Sequence, residues 1–300
     1  MRTIGHRAQR TLANPAQVEG VGLITSSRVC VRFLPAPAYT GILFRRTDLA
    51  SRPEYPALAD RVTDTQRRTT LGPASEGLTL IEHVMSALAG LRIDNAIVEV
   101  DGPEPPGLDG SARGFVRALL EAKIVVQSAL RPIYTPSQPI AVAASGATIT
   151  LHPATDPTFT ATYFLDYGPH APVPRHWYTT NVRPDLFVNE VADCRTFLRE
   201  AEAVGLRAMG IGKHVTAADL VVFDARGVKD NTLRFADEPA RHKVLDMIGD
   251  LALCGFDLAG HVVAYRSGHA LNVELARRLL QASSTERLAT SRGALLRRAA

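Results

Sequence analysis

Arg241-His242-Lys243-Val244-Leu245-Asp246-Met247-Ile248-Gly249-Asp250 is the stretch on which the reading of this chain turns. It lies in a segment, about Pro239 to Leu253, whose Val244, Leu245, Ile248 and Leu251 recur at helical spacing and predict a helix laid against a core. Residues four apart share a helix face, so His242, Asp246 and Asp250 form a polar stripe. An imidazole and a carboxylate one turn apart can chelate an ion. The same spacing also describes a solvated helix face, and at this point both readings are open.

Gly255 follows this helix, and His261-Val262-Val263-Ala264-Tyr265 then reads as a strand. The first half repeats the order: a helix from Leu80 to Ala89 with His83 near its start, Gly90 as a stop signal, and Asn95 to Val100 as a strand. Thr79 and Glu82 stand at capping-box spacing before that helix. The parallel hints at an internal duplication. Further strand-like runs occur at Val29–Phe33, Gly41–Arg45, Ala147–Leu151 and Phe159–Phe164. A second helix, with Ser111 as its cap, places Phe115, Val116, Leu119 and Leu120 on one face.

At 300 residues, 46% hydrophobic and 21% charged, the chain can bury two modest cores. The Ser-, Thr- and Pro-rich run with Pro132, Pro136 and Pro139 divides it into residues 1–127, a linker at 128–139, and residues 140–282. Residues 283–300 are expected to form a loose tail or a short terminal helix. The net charge of +4 is spread along the sequence and does not point to nucleic acid. No stretch has the length of apolar residues needed to span a bilayer, and Met1 to Arg7 lacks a signal peptide's apolar centre, so a cytoplasmic protein is expected. Cys30, Cys194 and Cys254 are far apart, which leaves any metal to His and carboxylates.

Zinc hydrolases commonly keep three protein ligands and a place for water, and His83, His242 and Asp246 would meet that count. Glu82, beside His83, is either the base for that water or simply the cap already named. His269, in Arg266-Ser267-Gly268-His269-Ala270-Leu271-Asn272, follows a strand on a glycine turn, where either a surface residue or a general acid can sit.

Taken together, these segments resemble the UDP-3-O-acyl-N-acetylglucosamine deacetylase family. The matching stretches run in order: Gln9–Leu12, Gly20–Leu23, Val62–Thr65, Thr69–Gly72, Glu82–Gly90, Asp94–Ala96, Leu108–Ala112, Arg195–Phe197, His242 to Asp250 and Ser267–Asn272. The resemblance implies an α+β fold of two similar domains, each a sheet packed on two helices, with the active site in the cleft between them. A βαβ insert at about residues 197–223 would form a passage for a fatty acyl chain, although most of Leu198, Ala201, Val204 and Leu206 are expected to be ordinary core.

The implied activity is zinc-dependent removal of the N-acetyl group of UDP-3-O-acyl-N-acetylglucosamine in lipid A synthesis, by a monomer without stable membrane insertion. His83, His242 and Asp246 would hold Zn2+ and Glu82 would be the general base. His269 with Asp250 would act as acid and oxyanion stabiliser, helped by the Thr196 hydroxyl, while Lys243, Arg266 and Phe197 would contact substrate. The family usually has His where Ile24 stands, and Lys where Arg266 stands. Those departures keep two rivals in play: the same chemistry on another acylated amino-sugar, and a non-catalytic binding protein.

Overall fold

Alternation of apolar and polar side chains builds the sheets. In Arg28–Pro35 the inward Val29, Val31 and Phe33 are buried, and in Gly260–Tyr265 the same holds for Val262 and Ala264. The computed structural model describes residues 1–216 and 219–298, with side chains as far as Ser283. The first half contains β1 (Arg2–Leu12), β2 (Ala16–Val21), β3 (Arg28–Pro35), β4 (Ile42–Arg46), β5 (Glu54–Pro56), β6 (Val62–Asp64), β7 (Thr70–Leu71), α1 (Glu82–Gly90), β8 (Ala96–Val100), α2 (Arg113–Glu121) and β9 (Ile124–Thr135). The second half begins with β10 (Ile140–Ala144), β11 (Ala147–His152), β12 (Phe159–Leu165), β13 (His176–Asn181), α3 (Pro184–Leu186), β14 (Phe197–Arg199) and α4 (Glu200–Ala208). It ends with β15 (Val221–Asp224), β16 (Gly227–Val228), α5 (Glu238–Ala252), β17 (Asp257–Leu258), β18 (Gly260–Tyr265) and α6 (His269–Arg298).

Each half has a five-stranded sheet, ordered β2-β3-β8-β4-β5 in the first and β10-β11-β18-β12-β13 in the second. The successive pairings are antiparallel, antiparallel, parallel and antiparallel in both. The position of helices in the chain matches too: α1 precedes β8 as α5 precedes β18, and α2 follows β8 as α6 follows β18. The fold is α+β, and the repeat hinted at by the sequence is a topological one. β14 and β15 run parallel with α4 between them, so the insert is a βαβ unit.

The two central helices, α1 and α5, pack on each other. Gly249 makes this possible, because a Cβ there would land on the Glu82 carbonyl oxygen. At the other end of α1, a Cβ on Gly90 would run into the Phe187 ring, so α1 is held close at both ends.

Several expectations are corrected. The stretch read as a linker is largely β9, which pairs along β1 and also with β17; its Ile133 and Tyr134 are buried, and only 136–139 lack regular structure. Pairing on both sides outweighs the proline signal there. Thr79 and Glu82 form no capping box: α1 starts at Glu82, and the Thr79 hydroxyl lies 2.8 Å from that of Thr70. Ser111 accepts from the Arg113 N–H at 3.2 Å, one residue outside the expected cap position. Helix α4 has no buried residue and Val204 is 62% exposed, so its apolar positions are not core. The expected tail continues the backbone of α6 to Arg298, and its last two residues lie outside those described.

The helix contact makes a prediction. Gly249→Ala must force α1 from α5 or bend one of them, at a cost of about 2 kcal/mol or more despite alanine's better helix propensity. A urea midpoint equal to that of the parent would show that the helices are not in tight contact.

Candidate active site

The start of α1 abuts the middle of α5, and side chains from both halves converge there. His83 Nε2 lies 3.5 Å from Asp246 Oδ1, and His242 Nε2 lies 3.4 Å from the same oxygen. One ligand atom from each of the three residues falls within 4.8 Å of the other two. A tetrahedral ion with bonds of about 2.0–2.1 Å needs ligand atoms roughly 3.4 Å apart along each edge, so these residues fit a small ion with nitrogen and oxygen donors. The solvated-face reading fails, since His242, Asp246 and Asp250 are 1%, 3% and 0% exposed.

Neighbours fix the state of each group. His242 Nδ1 is 3.0 Å from the Cys194 carbonyl oxygen, which can only accept, so Nδ1 carries the proton and Nε2 presents its lone pair inward. Burial pushes the His242 imidazole down to about 4, which keeps it neutral. For Asp246, burial alone would raise the carboxyl, but with His242 neutral it is the Lys243 ammonium and the His83 hydrogen bond that hold it well below the usual carboxylate range. Lys243 Nζ donates to Asp246 Oδ2 at 2.8 Å and leaves Oδ1 on the histidine side. Burial opposes the Lys243 ammonium too, yet Asp246 outweighs it and its pKa is raised.

Glu82 is 3% exposed, and burial raises its carboxyl while the nearby His269 and His83 partly offset the rise. Its Oε2 accepts from the Thr69 N–H at 3.0 Å. The Thr69 hydroxyl donates to Asp250 Oδ1 at 2.7 Å, and Asp250 Oδ2 accepts from Asn272 Nδ2 and from His269 Nδ1, each at 2.9 Å. Burial alone would lower His269; the Asp250 charge and hydrogen bond, with Glu82 and Asp246, raise it to about 9. His269 is therefore an imidazolium at neutral pH. It opens α6 and does not sit on a loop.

These groups border a cavity of about 650 Å³, and of the residues singled out in the sequence all but Asp250, which stands behind His269, line it. Thr196 lies on its wall, its backbone N–H bonded to the Gly110 carbonyl at 2.8 Å. Phe197 is buried edge-on to His242, with ring centroids 6.3 Å apart. Arg266 sits in the left-handed region at φ 53° with its guanidinium 3.0 Å from Asp166 Oδ2. Leu198, Leu206 and Val222 of the βαβ unit extend the wall, so of the apolar residues of the insert these face the cavity.

Several residues that hold this arrangement have no role legible in the sequence. Thr69 ties two carboxylates together. Arg195 makes a buried ion pair with Glu238 at the start of α5, 2.9 Å from Nε to Oε1, and its backbone N–H donates to the same carboxylate, which fixes the residue before Thr196. Glu104, fully buried, accepts from the Ile24 N–H at 3.0 Å and the Thr25 N–H at 2.7 Å, which sets Leu23 and Ile24 on the cavity wall. Glu104 stands between prolines, which read only as a turn. A lone carboxylate in such a turn carries no periodic signal.

A family model described as UDP-3-O-acyl N-acetylglycosamine deacetylase matches residues 9–281. Among curated proteins, the chain is 38% identical over 273 residues to a UDP-3-O-acyl-N-acetylglucosamine deacetylase from Thermosynechococcus vestitus, covering 91% of this chain and 94% of the relative. It is 37% identical to a protein of the same name from Myxococcus xanthus, covering 95% and 90%, and 36% identical to one from Nostoc sp., covering 92% and 99%.

The His269–Asp250 pair predicts how stability depends on pH. A histidine raised from 6.5 to about 9 contributes stability that is fully present below 6.5 and is lost as pH rises through about 9. Asp250→Asn should drop the His269 pKa, read by NMR titration of the ring, and abolish that part of the alkaline loss, roughly 3 kcal/mol. An unchanged His269 titration would mean that Asp250 does not hold the proton.

Proposed function

The chain belongs to the UDP-3-O-acyl N-acetylglycosamine deacetylase family, and from that membership we propose that it hydrolyses the acetamide of UDP-3-O-acyl-N-acetylglucosamine, releasing acetate, in lipid A synthesis. The observation that carries this reading is the meeting of His83, His242 and Asp246, with a buried Glu82 and a charged His269 around them.

His83, His242 and Asp246 would hold Zn2+, which when bound polarises the amide carbonyl and makes water more acidic. Glu82 takes the proton of the attacking water; its Oε2 is oriented by Thr69, and a carboxyl raised by burial is a better base than an exposed one. The His269 imidazolium faces the negative charge that develops on the carbonyl oxygen and then gives its proton to the departing sugar amine. Asp250 keeps that proton in place beforehand. The Thr196 hydroxyl donates to the same carbonyl oxygen.

Lys243 and Arg266 offset the charge of the diphosphate, and Phe197 packs against the sugar side. The apolar wall of the βαβ unit takes the acyl chain. The two halves, each built on its own five-stranded sheet, act as the two units of a cytoplasmic monomer. Among the described residues no helix is long and apolar enough to cross a membrane.

Purified protein should contain zinc, lose acetate release from UDP-3-O-acyl-N-acetylglucosamine on chelation, and regain it with added zinc. A folded, zinc-loaded enzyme that leaves this substrate intact refutes the substrate. Glu82→Gln should retain the metal and lose about 100-fold or more in kcat; full activity would remove Glu82 as the base. Because His269 acts protonated, kcat/KM should fall as pH rises through about 9, and a profile flat beyond pH 10 contradicts its role as the acid.

A further inference from the structure

A separate cavity of about 450 Å³ opens between the halves, toward the C-terminal ends of α1 and α5. Met85 and Leu88 of α1, Ile248 and Leu251 of α5, and Phe159 of β12 give it apolar walls. Most of the charge around it is internally balanced. Arg7 grips both oxygens of Asp94 at 2.7 Å, Arg131 Nε lies 2.6 Å from Asp257 Oδ1, and Arg183 is paired with Asp185 at 2.6 Å.

Arg92 is the exception. It lines the cavity and is half-buried, and its guanidinium makes no hydrogen bond or ion pair with any described residue. Burial lowers its pKa, the sign of a cation whose counter-charge is distant. Its backbone is left-handed as well, as is that of Lys123 just past α2. Arg92 has φ 55° just past α1, where the Ile93 N–H bonds back to the Leu88 carbonyl at 2.8 Å. A helix end closed in this way favours glycine, because a Cβ is strained in the left-handed region. Arg92 thus combines a left-handed backbone, closed by the Ile93–Leu88 bond, with a half-buried guanidinium that has no counter-charge within bonding distance among the described residues.

We propose that this cavity binds a small amphiphilic anion, with a carboxylate head on the Arg92 guanidinium and an alkyl tail against the apolar walls. A planar guanidinium matches a carboxylate with two parallel hydrogen bonds. The volume is in the range of small-molecule sites, roughly 300–1,000 Å³. The site is distinct from the deacetylase cleft, since neither Arg92 nor any wall residue named here borders that cleft, and the proposal stands whether or not the deacetylase reading holds.

Decanoate is the probe, with decanol as the uncharged control. Calorimetric titration of the full chain should show a decanoate site that decanol does not fill, and a crystal of the complex should place the carboxylate on Arg92. Arg92→Gln should weaken that site at least tenfold, and Arg92→Lys should retain part of it. Arg92→Gly separates ligand binding from a structural role: it should raise the melting temperature while abolishing the site. The proposal is overturned if decanoate occupies only the larger cleft, if decanol binds equally well, if Arg92→Gln binds as tightly as the parent, or if Arg92→Gly melts lower.

Discussion

The close contact of α1 with α5 at Gly249 is the constraint on which the site depends. Bringing the Glu82 backbone against a glycine of the other helix sets Glu82 and His83 beside Asp246 and Asp250, so donors from distant parts of the chain meet within a few ångströms. A glycine inside a helix lowers helix stability by roughly 1 kcal/mol relative to alanine. Here that loss permits a backbone approach that no other residue allows.

Once the helices are joined, burial does the chemical sorting. Two neighbouring carboxylates, both almost fully buried, are driven in opposite directions: Asp246 is kept ionised by the Lys243 ammonium and the His83 hydrogen bond, whereas Glu82 is raised. Two of the three histidines around these acids diverge likewise, His242 neutral with its lone pair turned inward and His269 cationic on Asp250. Such divergence between like groups is how one cleft holds both acid and base near neutral pH. Thr69, touching Glu82 and Asp250 together, keeps these opposed environments in register.

Much of this was legible in the sequence because helical periodicity is local. The stripe His242, Asp246, Asp250, the helices around His83 and His242, and the strands after them follow from spacing alone, and the ordered family resemblance joined them across the halves. What spacing could not convey is partnership over long distances. β9 looked like a linker because its prolines are visible in sequence and its partners β1 and β17 are not. Thr79 and Glu82 suggested a cap because tertiary competitors for their side chains, Thr70 and Thr69, lie outside any local window. The Glu104 anchor and the Arg195–Glu238 pair were silent for the same reason.

The two oxygens of Asp246 face different partners, Oδ1 the imidazoles of His83 and His242 and Oδ2 the ammonium of Lys243. This leaves a single carboxylate oxygen free for coordination. Magnesium and calcium, abundant in every cell, demand six or more oxygens in their shells and hold imidazole poorly. A pocket with two nitrogens and one oxygen would discriminate against them by offering too few hard donors, and Lys243, by occupying Oδ2, would narrow the choice to borderline metals content with four partners.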